Sequence, residues 1–307
     1  MLFRSRVRPA EQRGGALYMT DKQNHAIRKI DLASGAVITL AGTGHTGSSD
    51  GIGALASFNG PFGCVADGAG KLYVSDGNND TIRAIDLATG AVSTIAGSAG
   101  KSGTTDATGA AARFNNPAAL ALAGGILYVA DLGNHSIRAV VLASAAVTTF
   151  AGTSGSAGST DATGTAARFN RPNGLALDGG NLYVADQGNC TVRRVVLASG
   201  VVTTLAGTAG MIGASDGTGG AARFFGPHAL AADGNGNLYV ADTLNHTVRK
   251  IALATGAVST VAGVAGLASI KLGPAPGVLN TPSGLAVGSA GELYISTAHE
   301  NALLVLE

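Results

Sequence analysis

The sequence predicts an all-β protein, a six-bladed β-propeller of four-stranded antiparallel blades with one strand missing at the ring closure. The first observation is a long repeat, because a Leu-Tyr pair returns every 55 residues, with one step of 56. The second is that each repeat contains four short strand patterns, and the third is that no segment keeps an extended 3.6-residue apolar period. The pairs begin at Leu17, Leu72, Leu127, Leu182, Leu238 and Leu293.

One repeat, from Pro172 to Gly207, shows why four strands are expected in each blade. Its segments are short, rich in small and β-branched residues, and separated by Gly-rich or polar turns, which is typical of antiparallel strands. Neighbouring sheets would cover each other's faces, so we predict a closed ring rather than a stack with polar end caps. The predicted strands are Gly174–Asp178, Leu182–Asp186, Thr191–Leu197 and Val201–Ala206.

A long link follows each fourth strand, as in the stretch from Gly207 to Pro227. Four links share an Asp before a short Ala-rich stretch, and the pattern predicts that each Asp caps one helical turn. A Phe then follows and is expected to pack that turn onto the blade. The link before Pro282 has neither residue. The shared residues are Asp50, Asp106, Asp161 and Asp216, followed by Phe58, Phe114, Phe169 and Phe224.

The ends of the chain do not fill the ring. The sixth repeat stops after its third strand, near Leu306, and the first has no apolar opening strand before Leu17. Leu2–Val7 is the one candidate for the extra strand. It could lie beside Leu17–Thr20 as an inner strand, because only about nine residues separate Val7 from Leu17. It could instead be the outer strand of the last blade, because it carries arginines whereas the inner strands are built of small apolar residues. We adopt the first pairing. Either way one blade edge stays open, which indicates a fragment or a partner segment outside this chain.

Composition argues against several classes of protein. The net charge is +1 and charged residues make up 13% of the chain, without the clustered basic face of a nucleic-acid binder. No apolar run reaches the roughly 18 residues of a membrane span. Cys64 and Cys190 fall at different positions of the repeat, so we expect free thiols. The basic N-terminal stretch lacks an apolar core and predicts no signal peptide, although a longer exported parent would make the protein extracellular.

The repeated phrase resembles the NHL-repeat family. A phrase of the form "P.GLALD..GNLYVAD..NH.IR.I" recurs with variations five times in register, and the namesake letters stand at Asn24-His25, Asn134-His135 and Asn245-His246. The resemblance covers roughly residues 16 to 306 and implies a single six-bladed propeller domain over residues 1–307. It does not imply one function, because relatives include enzymes, RNA binders and adhesion or sensor domains.

Three branches of the family can be compared with this chain at the residues that follow the blade-opening prolines. The lyase branch implies a zinc site of several histidines, and the lactonase branch implies a calcium site of acidic and amide oxygens. The RNA-binding branch implies a basic face with aromatic residues, for which this chain offers Arg171 and Phe225. None of the three sets is present, so we expect no metal and no cofactor. The compared residues are Phe62, Ala118, Asn173, His228 and Ser283.

The polar residues that repeat are expected to be structural. An Asp ends the second strand of each full repeat and an Arg follows seven residues later, which indicates that the pair holds a turn. Three histidines occupy a position where sister repeats carry Asp80 or Cys190, a variety that a shared chemical role would not tolerate. These structural residues are Asp76, Asp131, Asp186, Asp242, Arg83, Arg138, Arg193, Arg249, His25, His135 and His246.

Function is therefore expected where the repeats differ. The candidate ligand-binding residues at the channel mouth are Phe62, Arg171, Asn173, His228 and Phe225. Our leading hypothesis is a monomeric, non-enzymatic scaffold that presents long Gly-rich links on one face to a protein, peptide or glycan. One alternative is a lyase or hydrolase with its site around His228. Another is a structural module of a longer surface protein.

Overall fold

A computed structural model describes residues 7–13, 15–271, 273 and 277–306. Within those residues the strands form six antiparallel sheets of three to five strands each, arranged in chain order around a central channel. This is the six-bladed, all-β propeller that the repeat predicts. Helical structure in the described chain consists of three-residue 3-10 turns. Among the same residues, no helix has both the length and the apolar character needed to cross a bilayer.

Each blade has an inner strand at the channel, then a second, a third and, in blades one to five, an outer strand. Blade one comprises Val7–Arg13, Ala16–Asp21, Ala26–Asp31 and Val37–Ala41. Blade two comprises Pro61–Ala66, Lys71–Asp76, Thr81–Asp86 and Ala91–Gly97. Blade three comprises Pro117–Ala123, Ile126–Asp131, Ser136–Val141 and Ala146–Ala151. Blade four comprises Pro172–Asp178, Asn181–Asp186, Thr191–Val196 and Val202–Ala206.

Blade five comprises Pro227–Ala232, Asn237–Asp242, Thr247–Ala252 and Ala257–Ala262, and blade six comprises Pro282–Val287, Leu293–Thr297 and Ala302–Leu306. Short strands from the links add a fifth strand to the outer edge of blades two, three and five: Gly51–Ile52, Ala107–Thr108 and Gly217–Thr218. The 3-10 turns in the links are Gly53–Leu55, Gly109–Ala111, Gly164–Ala166 and Gly219–Ala221. Those between second and third strands are Gly77–Asn79, Leu132–Asn134, Gln187–Asn189 and Thr243–Asn245.

The core lies between neighbouring blades. Second strands are buried on both faces because a blade packs against each of them, and this is why they read as nearly continuous apolar runs. Blade two contacts blade three through Tyr73, Ile82 and Phe114, among others. The ring is closed where Leu17 and Met19 of blade one pack against Ala286 and Tyr294 of blade six.

The ring closure places the extra strand differently from the sequence-based expectation. The inner strand of blade one is Val7–Arg13, which pairs with Ala16–Asp21, whereas we had assigned the strand to Leu2–Val7. A tight turn that includes Gly15, with φ of 74°, joins the two strands, so the hairpin needs far fewer linking residues than we allowed. Leu2–Arg6 lie outside the described residues. The favoured blade was right, and blade six has three strands in the described structure.

The predicted role of the link aspartates is wrong. The short turns exist, but each is preceded by Ile52 or an equivalent Thr and has no side-chain capping bond. Asp106 instead accepts hydrogen bonds from Thr149 of the outer strand and from Arg138. A buried Arg with unused donors attracts the carboxylate more strongly than a single turn of helix does. The link phenylalanines, by contrast, are fully buried as predicted: Phe58, Phe114, Phe169 and Phe224.

Candidate functional site

A buried ion pair holds each of blades two to five to the link that precedes it, and we call it the Asp–Arg clamp. In blade three, Oδ2 of Asp131 accepts hydrogen bonds from Arg138 Nη1 at 2.9 Å and Asn134 Nδ2 at 2.8 Å. Its Oδ1 accepts the backbone N–H of Asn115 in the link at 2.8 Å. The Arg138 guanidinium lies 5.2 Å from the centroid of Phe114. One carboxylate and one guanidinium therefore join two strands and a link.

The clamp recurs with nearly the same geometry in its sister blades. The corresponding Nη1–Oδ2 distances are 2.9 Å in blade two, 2.8 Å in blade four and 3.0 Å in blade five. Both side chains are 0% exposed in all four clamps, and burial raises the pKa of Asp131 to about 6, against the lowering effects of the Asn115 amide and Arg138. A ligand in solution cannot reach these groups. The clamp pairs are Asp76–Arg83, Asp131–Arg138, Asp186–Arg193 and Asp242–Arg249.

The channel opens on the face that carries the links into a cavity of about 460 Å³, which we call the mouth cavity. Two aromatic rings from opposite blades meet there, because Phe62 of blade two and His228 of blade five lie 5.9 Å apart at 52°. Lys22 Nζ lies 4.7 Å from the Phe62 centroid. The remaining lining is mostly amide and hydroxyl: Gln23, Gln187, Thr243, Leu244, Thr281, Ser283, Ala298, His299 and Asn301.

The channel narrows below the mouth cavity. Its waist holds about 70 Å³ between the inner strands, and the opposite opening, about 370 Å³, is lined by Ala, Leu and Val. At the waist a Cβ on Gly174 would lie 2.6 Å from the carbonyl oxygen of His228, so the inner strands approach too closely for a side chain at that position. The mixed polar and aromatic chemistry therefore belongs to one end of the channel.

The five candidate residues lie at different distances from this cavity. Phe62 and His228 line it, and His228 Nδ1 lies 2.7 Å from the carbonyl oxygen of Ser283. Asn173 is buried but donates a hydrogen bond of 3.1 Å to the lining residue Gln187. Arg171 and Phe225 are on the link surface and do not line the cavity. Within the described chain, no group of three or more His, Cys, Asp or Glu side chains is placed to hold a metal ion.

Comparison with known proteins agrees with the repeat and the fold. A family model described as NHL repeat matches residues 169–194 and 224–251. NHL repeat-containing protein 2 of Homo sapiens is 30% identical over 342 aligned positions, which cover 100% of this chain and 47% of that protein. The chain belongs to the NHL-repeat family. It spans about half the length of that relative. By its repeat and its fold it is an NHL propeller scaffold.

Solved structures that resemble this NHL propeller include binding proteins and enzymes. An auxiliary nutrient binding protein from Bacteroides thetaiotaomicron VPI-5482 superposes with a TM-score of 0.72 at 14% identity, covering 100% of this chain and 70% of that one. Streptogramin B lyase superposes with a TM-score of 0.61 at 13% identity, covering 100% of this chain and 94% of that one. At such identities the likeness shows the fold alone.

The namesake His of the NHL repeat connects one blade to the next, and we call this contact the interblade latch. His135 has a left-handed backbone, with φ of 57°, and its Nδ1 accepts the backbone N–H of Arg171 at 3.0 Å. His25 and His246 make the same contact at 3.1 Å. Asp80 substitutes a carboxylate for the imidazole and accepts the N–H of Asn116 at 2.7 Å. The position therefore supplies a hydrogen-bond acceptor in blades one, two, three and five, whereas Cys190 in blade four donates to the carbonyl oxygen of Gln187 instead.

Sequence reasoning missed the residues on the wall of the mouth cavity opposite the prolines. The position directly after the last residue of the second strand, which is Asp in blades one to five and Thr297 in blade six, holds a different residue in every blade. Four of these residues line the cavity: Lys22, Gln187, Thr243 and Ala298. The signal was available, since this position varies directly after a residue that is Asp in five of the six repeats: it reads Lys22, Gly77, Leu132, Gln187, Thr243 and Ala298.

Proposed function

We propose that this propeller binds a protein partner through the mouth cavity and the links beside it. The observation that carries the proposal is the meeting of two features on one face. The cavity offers an aromatic floor, the Lys22 ammonium and several amides, which suits an inserted side chain or chain end. Exposed apolar side chains stand on the neighbouring links, which suits a protein surface.

The apolar side chains cluster around blade five. Leu244, 49% exposed, follows a lining residue and its backbone N–H bonds to the carbonyl of Phe225, which is 36% exposed. Met211 and Ile212 are 53% and 60% exposed on the same link, and Ile212 forms a backbone bridge with Phe224. Aromatic residues and Met are enriched at protein interfaces, and the exposed aliphatic side chains of Ile212 and Leu244 offer no hydrogen bond to a sugar hydroxyl. A protein or peptide partner therefore fits this face better than a glycan.

The test begins with selection of peptides from a random displayed library on the immobilised full chain. The dissociation constant of a selected peptide is then measured for the wild type and for Leu244→Ser, Lys22→Ala and Thr243→Ala. Ile38→Ser is the matched control, because Ile38 is 55% exposed on the outer strand of blade one, away from the channel. We expect about tenfold weaker binding for the site variants, since a central interface residue contributes about 1–2 kcal/mol, and no change for the control. Equal affinities throughout would overturn the proposal.

A further inference from the structure

Blade six presents an open strand edge. Its third strand, Ala302–Leu306, pairs with Leu293–Thr297, and no strand in the described chain pairs with its other edge. In blade five the equivalent residues Val248 and Ile251 are 0% exposed, because an outer strand covers them. In blade six Leu303 and Leu306 are partly exposed, and Val305 is 52% exposed.

The open edge lacks the features that normally protect an edge strand. The strand reads ALLVL, without a charge, a proline or a bulge in its pairing, whereas exposed edges usually carry such residues against unwanted pairing. A groove of about 660 Å³ runs beside it, between blade six and blade one. Its walls include Ile30, Leu32, Tyr294, Leu303 and Val305. An uncovered apolar edge beside a groove is suited to a covering strand.

The rest of blade six has lost the groups that would hold an outer strand in this chain's usual way. In blade three the outer-strand Thr149 bonds to Asp106, which in turn bonds to the clamp Arg138. In blade six the clamp positions are Thr297 and Leu304, and the preceding link has no Asp among its described residues. A strand on this edge would therefore be held by backbone hydrogen bonds and apolar contacts.

The other five blades show which side chains such a strand needs. Their outer strands share one pattern: Ala or Val, then Val, then Ser or Thr in four blades and Ile38 in blade one, then Thr, an apolar residue, Ala and Gly. In blade four Val202 and Ala206 point into the core and are 1% and 0% exposed, while Thr204 bonds to the link. The following Gly207 has φ of 88°, and a Cβ there would lie 2.7 Å from the Cys190 carbonyl oxygen. Packing against the core and the link therefore requires small buried residues to alternate with polar residues that point outward.

We propose that the open edge of blade six accepts an antiparallel β-strand with this pattern from a polypeptide segment other than residues 1–307. Met1–Arg6 are too short to supply it, because six residues span at most about 20 Å. From the inner strand of blade one, the segment would have to cross three strand spacings, about 14 Å, and then run about 17 Å along Ala302–Leu306. The occupant thus completes blade six from outside the described ring.

The test uses the full chain and a labelled peptide with the sequence of residues 199–208, SGVVTTLAGT, taken from blade four. Fluorescence anisotropy should show saturable binding with one peptide per chain. Two N-methylated peptides, each blocking alternate amides, separate strand pairing from general adhesion. Blocking the amides that face blade six should weaken binding about tenfold, and blocking the other set should leave it unchanged. No binding, or equal loss with both peptides, would overturn the proposal.

The position is tested by disulfide trapping. In blade four Arg194, the equivalent of Val305, pairs with Thr203, so a Val305→Cys protein should trap a peptide carrying Thr203→Cys faster than one carrying Thr204→Cys. The two native thiols, Cys64 and Cys190, are buried, so they should not trap the peptide and serve as internal controls. Equal trapping rates would contradict the assigned register. Sedimentation of the free protein as a dimer that the peptide dissociates would show a second copy on this edge, and that would also overturn the proposal.

Discussion

Replacing Arg138 by Leu should be far more damaging alone than together with Asp131→Thr. Alone, it leaves a carboxylate that is 0% exposed without its guanidinium partner. Breaking one side of a buried ion pair costs about 3–5 kcal/mol. For a chain of this size the melting temperature should fall by roughly 5–10 °C.

The double variant should recover much of that loss, because it removes both charges. Blade six already carries Thr297 and Leu304 at these two positions, so the ring tolerates the pair. Arg138 Nε is also buried without a hydrogen-bond partner in the described structure, a cost that leucine removes. The double variant also loses the hydrogen bond from the Asn115 backbone N–H to Asp131, which costs about 1 kcal/mol. Asp106 loses Arg138 as a partner at little cost, because it is 44% exposed and accessible to water.

Denaturant unfolding of the wild type, both single variants and the double variant gives the coupling energy directly. We expect the double variant to be no less stable than Arg138→Leu alone, which corresponds to a coupling of about 3 kcal/mol. Arg28 provides a matched control, because it pairs with Asp21 in blade one but is 26% exposed. Arg28→Leu also leaves a carboxylate that is 2% exposed, but water can reach the place of the partly exposed guanidinium, so it should cost less than Arg138→Leu, about 1–2 kcal/mol. Losses in the double variant that equal the sum of the two single losses would refute the account of the clamp.

Three further predictions concern the latch and the buried acids. Cys190→His should add the missing latch to the backbone N–H of Gly226 and raise the free energy of unfolding by about 1 kcal/mol, measured by denaturant titration. Burial, with the charge of Arg171, lowers the pKa of His135 below its ordinary 6.5. The stability from its latch should therefore be present above pH 6.5 and lost as pH falls through that lowered pKa, which imidazole NMR and unfolding at each pH would show. The Asp131 carboxyl should titrate near pH 6, and carbon-detected NMR can follow it.

Most of the fold was predictable because one period governs it. The 55-residue spacing and the strand patterns give the six blades, and the predicted strands of blade four agree with Pro172–Asp178, Asn181–Asp186, Thr191–Val196 and Val202–Ala206 to within two residues. The inner strand of blade one was misplaced because the polar stretch Val7–Arg13 lacks the apolar signal of its sisters. That hairpin is defined by the pairing of Val7–Arg13 with Ala16–Asp21 across a turn that includes Gly15.

The candidate site was less predictable than the fold. Reading residues after each proline found Phe62 and His228, because inner strands begin at the channel. The search for residues that differ between the repeats also selected Arg171 and Phe225, which lie on the link surface, since sequence position alone does not say how far a link stands from the channel axis. Lys22 and Gln187 were not predicted as site residues, because only the repeated Asp was considered, whereas the residue directly after it lines the mouth cavity.

The central claim is a ring closed by Val7–Arg13 and left open at one edge of blade six. Residue-resolved hydrogen exchange of the full chain tests it most directly. The account predicts slow exchange for the amides of Val7–Arg13 that pair with Ala16–Asp21, and fast exchange for alternate amides of Ala302–Leu306, unlike their slow equivalents in Thr247–Ala252. Uniform protection along Ala302–Leu306, or unprotected amides throughout Val7–Arg13, would contradict it.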